Sequence, residues 1–401
     1  MDARAFLLDL EPDLIALRHE LHQSPEVGLH LPATQARLLR ELEGLPLEIS
    51  LGEQVTSIVA VLRGRGERAR EPRAVLLRGD MDGLPVTEAT GLDWASTNGA
   101  MHACGHDLHM TMLVGAVKAL CAQVDELPGD VVFMFQPGEE GCDGASYMIT
   151  EGVLDAAGRP LDAAYALHVW SSGQEPCGTF TTKPGAIMAS SDIAHVRITG
   201  RGGHGSAPHL AADHVPAMAE MITATHAMVT RRFNIFDPVV VTVGQAHAGT
   251  IANVIPETAS FDATLRAFST EARDEMFRLL PEVMAGIAGA HGVSVQVDFT
   301  EQYPVTINDD AETAWASEVI EDLFGVEGHA RWANPLAGAE DFSRVLQAVP
   351  GSFIGLQACP PELDHTTAPF NHSAYARFDD SVLVRGSLLL AELASRTLSG
   401  R

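Results

Sequence analysis

A cysteine and a histidine two positions apart carry the densest chemical signal in this sequence. Cys104 and His106 lie in the segment 101–107 (MHACGHD), directly before a predicted helix. In a loop, this spacing lets a thiolate and an imidazole reach one metal ion without helical geometry. Together with carboxylates, these groups suit zinc and also accept manganese, cobalt or nickel. Taken alone, the segment also fits a buried cysteine beside surface histidines.

Two adjacent glutamates follow an apolar run and can play different chemical parts. Glu139 and Glu140 belong to the segment 136–141 (QPGEEG), where glycines flank them. At the end of a strand, neighbouring side chains face different directions. One carboxylate can therefore bind a metal while the other acts as general base. The alternative is an acidic surface turn, and the apolar strand directly before the pair argues against it.

Two further histidines give weaker signals. His168 ends the apolar run 163–167, a position where a histidine satisfied within the core is the more common case. His372 belongs to a polar cluster at 371–373 (NHS) in the last third of the chain. Neither position predicts a metal site by itself.

The elements that must position these residues alternate between strand and helix. Apolar runs at 74–77, 130–135 and 163–167 predict buried strands, and 108–124 predicts a helix. This order indicates an α/β fold with a mostly parallel sheet and helices on both faces. Binding residues in such sheets collect beyond the carboxyl ends of the strands, where both glutamates and His168 fall, together with Asp80 and Asp82.

A different pattern begins near residue 184. Strand, helix, strand, strand, helix and strand follow one another, which is the split βαβ (ferredoxin-like) arrangement. We therefore expect a discontinuous metal-binding catalytic domain, residues 1–183 and 299–401, with residues 184–298 inserted as a separate domain.

Composition narrows the classes of partner and location. The formal net charge of −27 argues against nucleic acid and anionic membranes as partners. Five widely separated cysteines argue against a disulfide framework and for a reducing compartment. Since no signal-peptide pattern or apolar run of membrane-spanning length is seen, the cytoplasm is the expected location.

Ordered motifs over nearly the whole chain resemble those of the aminoacylase/carboxypeptidase-like dinuclear metallohydrolases. The closest similarity is to the hippurate hydrolase, auxin-conjugate and N-acetyl-amino-acid amidohydrolase branch. The motifs are RHELH (18–22), GDMDGLP (79–85), MHACGHD (101–107), QPGEE (136–140), HVW (168–170), GGHG (202–205), NVIP (253–256), GAEDF (338–342) and NHS (371–373).

This resemblance implies an enzyme that cleaves the amide bond of N-acyl amino acids (acetyl, benzoyl or similar) to a carboxylic acid and a free amino acid. It implies two divalent metal ions per subunit, manganese or zinc first and cobalt or nickel next, with Cys104 at the bridging position. Glu139 would be the general base for a metal-activated water. The implied metal ligands are Cys104, His106, Glu140, His168 and His372.

The resemblance also implies roles for two aspartates. Asp80 stands where the wider superfamily has a metal-binding histidine, and His106 is expected to compensate. Asp82 is expected to orient a neighbouring ligand.

Three residues of the inserted domain match family positions as well. His204 would reach the active site of the neighbouring subunit, which implies a homodimer, open to further assembly, and makes the inserted domain a lid and dimerisation domain. A turn histidine is the alternative for His204. Asn253 and Arg266 match positions that contact substrate, and Arg266 could pair with a substrate carboxylate through its planar fork of donors. An ordinary ion pair on the sheet face is the alternative for Arg266.

Two other functions stay open. One is a metallo-exopeptidase or dipeptidase with the same site. The Cys104-x-His106 variant argues against it, because this variant favours the acylamino-acid branch. The other is a non-catalytic metal-binding protein. Glu139 argues against the second, because a carboxylate that binds no metal has no purpose there without catalysis.

Overall fold

The computed structural model describes residues 2–67 and 72–400. The helices are α1 (Ala3–Gln23), α2 (Pro32–Leu42), α3 (His106–Ala122), α4 (Gly144–Thr150), α5 (His214–Arg232), α6 (Thr270–His291), α7 (Asp310–Phe324), α8 (Ser343–Ala348) and α9 (Val382–Leu398). The first eight strands are β1 (Leu47–Leu51), β2 (Ile58–Arg63), β3 (Ala74–Asp80), β4 (Asp130–Gln136), β5 (Ala163–Trp170), β6 (Phe180–Thr182), β7 (Gly185–Met188) and β8 (Ser191–Thr199). The remaining strands are β9 (Gly203–His204), β10 (Val239–Ala248), β11 (Val254–Ile255), β12 (Thr258–Ala267), β13 (Ser294–Tyr303), β14 (Thr306–Asn308), β15 (His329–Arg331) and β16 (Gly351–Gln357).

The chain forms two compact units. The larger comprises Met1–Ile187, Ile307–Asn334 and Asp341–Arg401, and the smaller comprises Met188–Thr306 and Pro335–Glu340. The main segment of the smaller unit begins at 188 and ends at 306, compared with the inserted segment 184–298 that the sequence pattern indicated, and Pro335–Glu340, which was expected in the larger domain, also belongs to the smaller unit. The main segment ends later than predicted because β13 continues along β8 as far as the pair Tyr303 and Ser191.

The larger unit is built on an eight-stranded sheet in the order β1-β2-β4-β3-β5-β16-β6-β15. Its four central strands, β4, β3, β5 and β16, are parallel to one another. Every residue of these four strands is buried. Since alternate side chains point to opposite faces, this burial requires that helices cover both faces. The predicted mostly parallel α/β fold is confirmed.

The antiparallel pairings of this sheet lie on either side of the central strands. They join β1 to β2, β2 to β4, and β16 to β6, while β15 adds in parallel to β6. The carboxyl ends of β3, β4 and β5 therefore lie at one edge of the sheet, as the sequence pattern predicted.

The smaller unit contains a four-stranded antiparallel sheet in the order β10-β12-β8-β13. The helices α5 and α6 supply Met221, Met228, Met276 and Leu280 to a core that also includes Phe261 of β12. The chain order β8, α5, β10, β12, α6, β13 is the predicted strand-helix-strand-strand-helix-strand order. Within residues 2–67 and 72–400, no helix has both the length and the apolar character needed to cross a membrane.

Candidate metal centre

A glycine allows the cysteine loop to approach the sheet. Gly105 precedes α3 with a φ of 83°, in the left-handed region that favours glycine. A Cβ atom at this position would lie 2.3 Å from Cγ2 of Val169 on β5. Because Gly105 has no Cβ, the segment carrying Cys104 and His106 can pack directly against the end of β5.

The five predicted metal ligands lie together in the larger unit. Sγ of Cys104 lies 3.4 Å from Nε2 of His168 and 3.3 Å from Nε2 of His372. Nε2 of His372 lies 3.1 Å from Oε1 of Glu140, and Nε2 of His106 lies 4.0 Å from the same oxygen. Sγ of Cys104 therefore lies within 3.4 Å of an imidazole nitrogen from β5 and of one from the segment that carries His372.

The donor atoms form overlapping sets of three that could each hold a metal ion. In each set the atoms lie within 4.8 Å of one another. The sets that include at least two of the predicted ligands are Cys104, His106 and His168; Cys104, Glu140 and His372; and His106, Glu139 and Glu140. Sulfur, imidazole nitrogen and carboxylate oxygen are the donors that zinc and its neighbours in the first transition row accept.

The buried imidazole of His106 supports this fit. Neither ring nitrogen makes a hydrogen bond to a residue within 2–67 or 72–400, although the side chain is fully buried. A buried polar group without a hydrogen-bond partner is costly, and metal coordination would satisfy one of the nitrogens. The residues present therefore fit a divalent metal.

The electrostatics around two of the predicted ligands, His106 and His372, favour positive charge, whereas burial holds the pKa of His168 well below its usual value. Burial opposes protonation of His106, but the carboxylates of Asp80 and Asp82 and the sulfur of Cys104 together outweigh it, and the pKa of His106 lies well above its usual value. Hydrogen bonds to Cys104 and Glu140 raise the pKa of His372 to about 10. A site that stabilises a proton on these imidazoles without any metal also attracts cations that compete for the same nitrogens.

Asp80 takes part in a buried hydrogen-bond network. Arg78 and Nδ1 of His109 both hydrogen-bond to its carboxylate, the latter at 2.6 Å. Nε2 of His109 accepts a hydrogen bond from the backbone N–H of Val169 at 2.8 Å. Because Nε2 accepts, Nδ1 carries the proton and donates it to Asp80. Asp80, which stands where the wider superfamily has a metal-binding histidine, is thus hydrogen-bonded to an arginine and a histidine.

Arg78 belongs to this network, although no sequence motif described above predicts it as a site residue. Its guanidinium also donates to Gln136 at 3.0 Å and pairs with Asp341 at 3.1 Å, and all three side chains are buried. An arginine at the end of an otherwise apolar strand is the signal that could have identified it, because a buried charge needs a buried partner.

Asp82 holds the two glutamates through their backbone. Its carboxylate oxygens accept hydrogen bonds from the N–H groups of Glu139 and Glu140, each at 3.0 Å. The loop after β3 therefore fixes the loop after β4. This contact agrees with the expected orienting role of Asp82, although it acts on the glutamate backbone.

A buried ionic cluster joins α1 to the start of α3. Asp107 pairs with Nε of Arg18 at 3.0 Å and Nδ1 of His22 at 2.9 Å. Nε2 of His22 lies 3.2 Å from Glu88. Burial opposes protonation of His22, but the charge of Asp107 and hydrogen bonds to Asp107 and Glu88 raise its pKa to about 9. This cluster fixes the segment that carries Cys104 and His106.

Aromatic rings extend from the metal centre toward the surface. His168 stacks on Trp170 with ring centroids 4.1 Å apart. Trp170 stacks in turn on Phe370 at 6.0 Å with a 6° angle between the planes, and Trp332 lies 5.9 Å from Trp170. Phe370 is 50% exposed. An exposed ring beside a candidate metal centre is available to contact a ligand.

The other predicted site residues lie in the smaller unit. His204 on β9 pairs with Val254 on β11, and the N–H of Gly205 donates to the carbonyl of Asn253 at 2.8 Å. His204 and Asn253 are thus neighbours, and both are exposed. Arg266 lies apart from them on β12, where burial lowers its pKa. Their catalytic and substrate-binding roles stay predictions.

Comparisons with known proteins agree with the predicted resemblance. The model of peptidase family M20/M25/M40 matches residues 76–396. Thermostable carboxypeptidase 2 of Saccharolobus solfataricus is 33% identical over 391 residues, which cover 96% of this chain and 95% of the relative. Hippurate hydrolase of Campylobacter jejuni is 32% identical over 394 residues, 98% of each chain.

A solved structure extends the comparison. The Bacillus subtilis YXEP protein, a dinuclear metal-binding peptidase of the M20 family, is 29% identical with a TM-score of 0.83, covering 98% of this chain and 99% of that one. The match to the family model and the identity to relatives over nearly their whole length lead to one conclusion. The chain belongs to peptidase family M20/M25/M40 and is a hydrolase of amide bonds.

Proposed function

We propose that the protein is a metal-dependent amidohydrolase that converts N-acyl amino acids to a carboxylic acid and a free amino acid. The observation that carries this proposal is the meeting of a thiolate, three imidazoles and the Glu140 carboxylate in one pocket, with Glu139 beside them. The likeness to hippurate hydrolase supports the N-acyl amino acid as substrate class.

Cys104, His106, Glu140, His168 and His372 would hold two divalent metal ions, with manganese or zinc as the first candidates. When bound, such ions supply Lewis acidity that polarises the amide carbonyl and makes a water more acidic. The remaining chemistry belongs to the chain's own residues.

Glu139 is the general base of the proposed reaction. It is 7% exposed, and Oε2 lies 4.0 Å from Nε2 of His106. Because Asp82 holds its backbone, the carboxylate is presented at a fixed place at the end of β4. Glu139 would take a proton from the attacking water and pass it to the leaving nitrogen, a role that contributes about 10²- to 10⁴-fold in rate.

The smaller unit would supply the remaining contacts. His204 would donate a hydrogen bond to the developing oxyanion in the site of the neighbouring subunit of a homodimer, and such a donor contributes about 10²- to 10³-fold. Asn253 would bind substrate beside it, and Arg266 would pair with the carboxylate of the amino acid.

The acyl group is proposed to be aromatic in the preferred substrate. Phe370 presents a half-exposed ring within the aromatic series that begins at His168. A benzoyl group could stack on this ring, whereas an acetyl group offers little surface for such a contact.

A metallo-exopeptidase is the second candidate, supported by the likeness to thermostable carboxypeptidase 2. Hydrolysis of hippurate and of N-acetyl amino acids, compared with simple dipeptides, separates the two. Each substrate is assayed with the metal-loaded enzyme, after chelation, and after metal is restored. We expect metal-dependent release of glycine from hippurate. Rapid dipeptide cleavage with inert N-acyl substrates would favour the exopeptidase.

A further inference from the structure

The side chain of Asn371 joins three segments of the larger unit. Its Nδ2 lies 3.0 Å from the carbonyl oxygen of Val169 and 3.3 Å from that of Cys104. The same nitrogen lies 3.7 Å from Sγ of Cys104. Its Oδ1 accepts hydrogen bonds from the backbone N–H and the hydroxyl of Ser171, at 2.9 and 3.0 Å. One amide therefore connects the cysteine loop, the end of β5 and the segment that carries His372.

The orientation of this amide follows from its partners. The backbone N–H of Ser171 can only donate, so the atom facing it must be the oxygen of Asn371. The carbonyls of Val169 and Cys104 can only accept, so the atom facing them must be the NH₂ group. The group near the cysteine sulfur is therefore a hydrogen-bond donor, and it stabilises negative charge on that sulfur.

The next residue, His372, has a backbone conformation that needs support. Its φ of 72° lies in the left-handed region, which residues with a Cβ atom adopt at a cost. Its N–H donates to the carbonyl of Ala103 at 2.9 Å, which fastens this backbone to the cysteine loop on one side. The side chain of Asn371 fastens it on the other. Together these bonds place Nε2 of His372 within 3.3 Å of the sulfur.

We infer that Asn371 is a positioning residue of the metal centre, whose amide fixes both the sulfur of Cys104 and the backbone that carries His372. The inference rests on the proposed function, because it takes Cys104 and His372 to be metal ligands. Asn371 itself need not bind metal or substrate. Its effect is on how tightly, and with what geometry, the sulfur and the imidazole can share an ion.

The test uses Asn371→Asp and cobalt(II) as the probe metal. The aspartate keeps an oxygen toward Ser171 but places a second oxygen, in place of the NH₂ donor, against two carbonyls and the sulfur. Cobalt bound to a thiolate gives a sulfur-to-metal charge-transfer absorption, which reports the sulfur directly. We expect this absorption to weaken or shift in the variant, and the dissociation constant for cobalt to rise about 10- to 100-fold.

Asn308→Asp is the matched control. Asn308 is buried, whereas Asn371 is half-buried. The Nδ2 of Asn308 donates to the carbonyls of Lys183 and Phe353 at 3.0 Å each, and its Oδ1 accepts from the N–H of Phe353 at 2.7 Å. The same chemical change is thus made in a similar setting without contact to Cys104. We expect the melting temperature to fall while the cobalt absorption stays that of wild type.

Asn371→Ala adds a variant that removes the donor without introducing charge, and it should change the cobalt absorption in the same direction. Thermal melts identify the variants that are folded. Wild-type absorption and affinity in both folded Asn371 variants would overturn the inference alone. A wild-type chain that binds no cobalt would overturn the proposed function and this inference together.

Discussion

The carboxylate of Asp82 accepts a hydrogen bond from the backbone N–H of Glu139 at 3.0 Å. This bond joins the ends of two neighbouring parallel strands, β3 and β4. It fixes the backbone of Glu139 while the side chain points into the pocket that holds the candidate metal ligands. The general base would therefore keep its place whether or not metal is present, which separates the effects of base and ligand substitutions.

Glu139→Gln should keep the metals and lose turnover. The amide preserves the shape of the side chain but cannot take up a proton, so kcat should fall by about 10²-fold or more. Glu140→Gln is the matched change at the adjacent residue, and it should lower metal content as well as activity. Metal analysis and hippurate kinetics measure both. Substantial turnover by Glu139→Gln would contradict its assignment as the base.

Cys104→Ser should weaken metal binding. A hydroxyl is a poorer ligand than a thiolate for zinc and cobalt, and this sulfur lies within 3.4 Å of Nε2 of both His168 and His372. Cys121→Ser is the control. Like Cys104, Cys121 is buried, but it lies on α3 and outside the sets of candidate metal ligands. Metal content after dialysis against chelator measures the effect. If Cys104→Ser retained as much metal as wild type, Cys104 would be removed from the site.

His204→Ala should reduce activity without loss of metal, because His204 lies in the smaller unit and its proposed partner site is in another subunit. Mixing it with Glu139→Gln should restore activity. Half of randomly formed dimers are mixed, and each has one intact site of two, so recovery of about one quarter is expected. Mixed dimers verified by mass spectrometry that stay inactive would refute the arrangement across subunits.

Phe370→Ala should lower kcat/KM for hippurate relative to N-acetylglycine. Loss of a stacking partner for the benzoyl ring predicts a change of about two- to tenfold in this ratio. Phe236→Ala is the control, since Phe236 is an exposed aromatic residue of the smaller unit. An equal loss on both substrates would mean that Phe370 does not select the acyl group.

His22 should make stability depend on pH on the alkaline side. Its pKa is about 9 in the folded chain, and the usual value is 6.5. Because the pKa is raised on folding, protonated His22 adds to the free energy of unfolding. This contribution of His22 is fully present below about pH 6.5 and is lost as the pH rises to about 9. The loss should reach about 3 kcal/mol.

Urea unfolding between pH 6.5 and 9.5 measures this effect, with chelator present so that metal binding does not contribute. The free energy of unfolding should fall more steeply for wild type than for His22→Gln, which cannot titrate. Parallel curves for the two proteins would show that His22 does not carry the dependence.

Much of this protein can be predicted from local patterns in its sequence. Buried runs such as 74–77 and 130–135 give the parallel strands, because both faces of such a strand must be apolar. Cys104 and His106, two positions apart, and the adjacent pair Glu139 and Glu140 indicate metal and proton chemistry through residue type and spacing alone. These features depend on residues that are only a few positions apart in the chain, so the sequence contains them directly.

The tertiary structure decided what no local pattern contains. His372 reaches Cys104 across 268 residues of chain, and Arg78 finds Asp341 across 263. The amide of Asn371 makes its hydrogen bonds only because folding brings the cysteine loop, β5 and the segment that carries His372 together. Such contacts depend on the order β3-β5-β16 in the sheet and on how loops close over its edge. Apolar periodicity determines that strands form, but the balance of packing and hydrogen bonding over the whole chain determines which strand lies beside which.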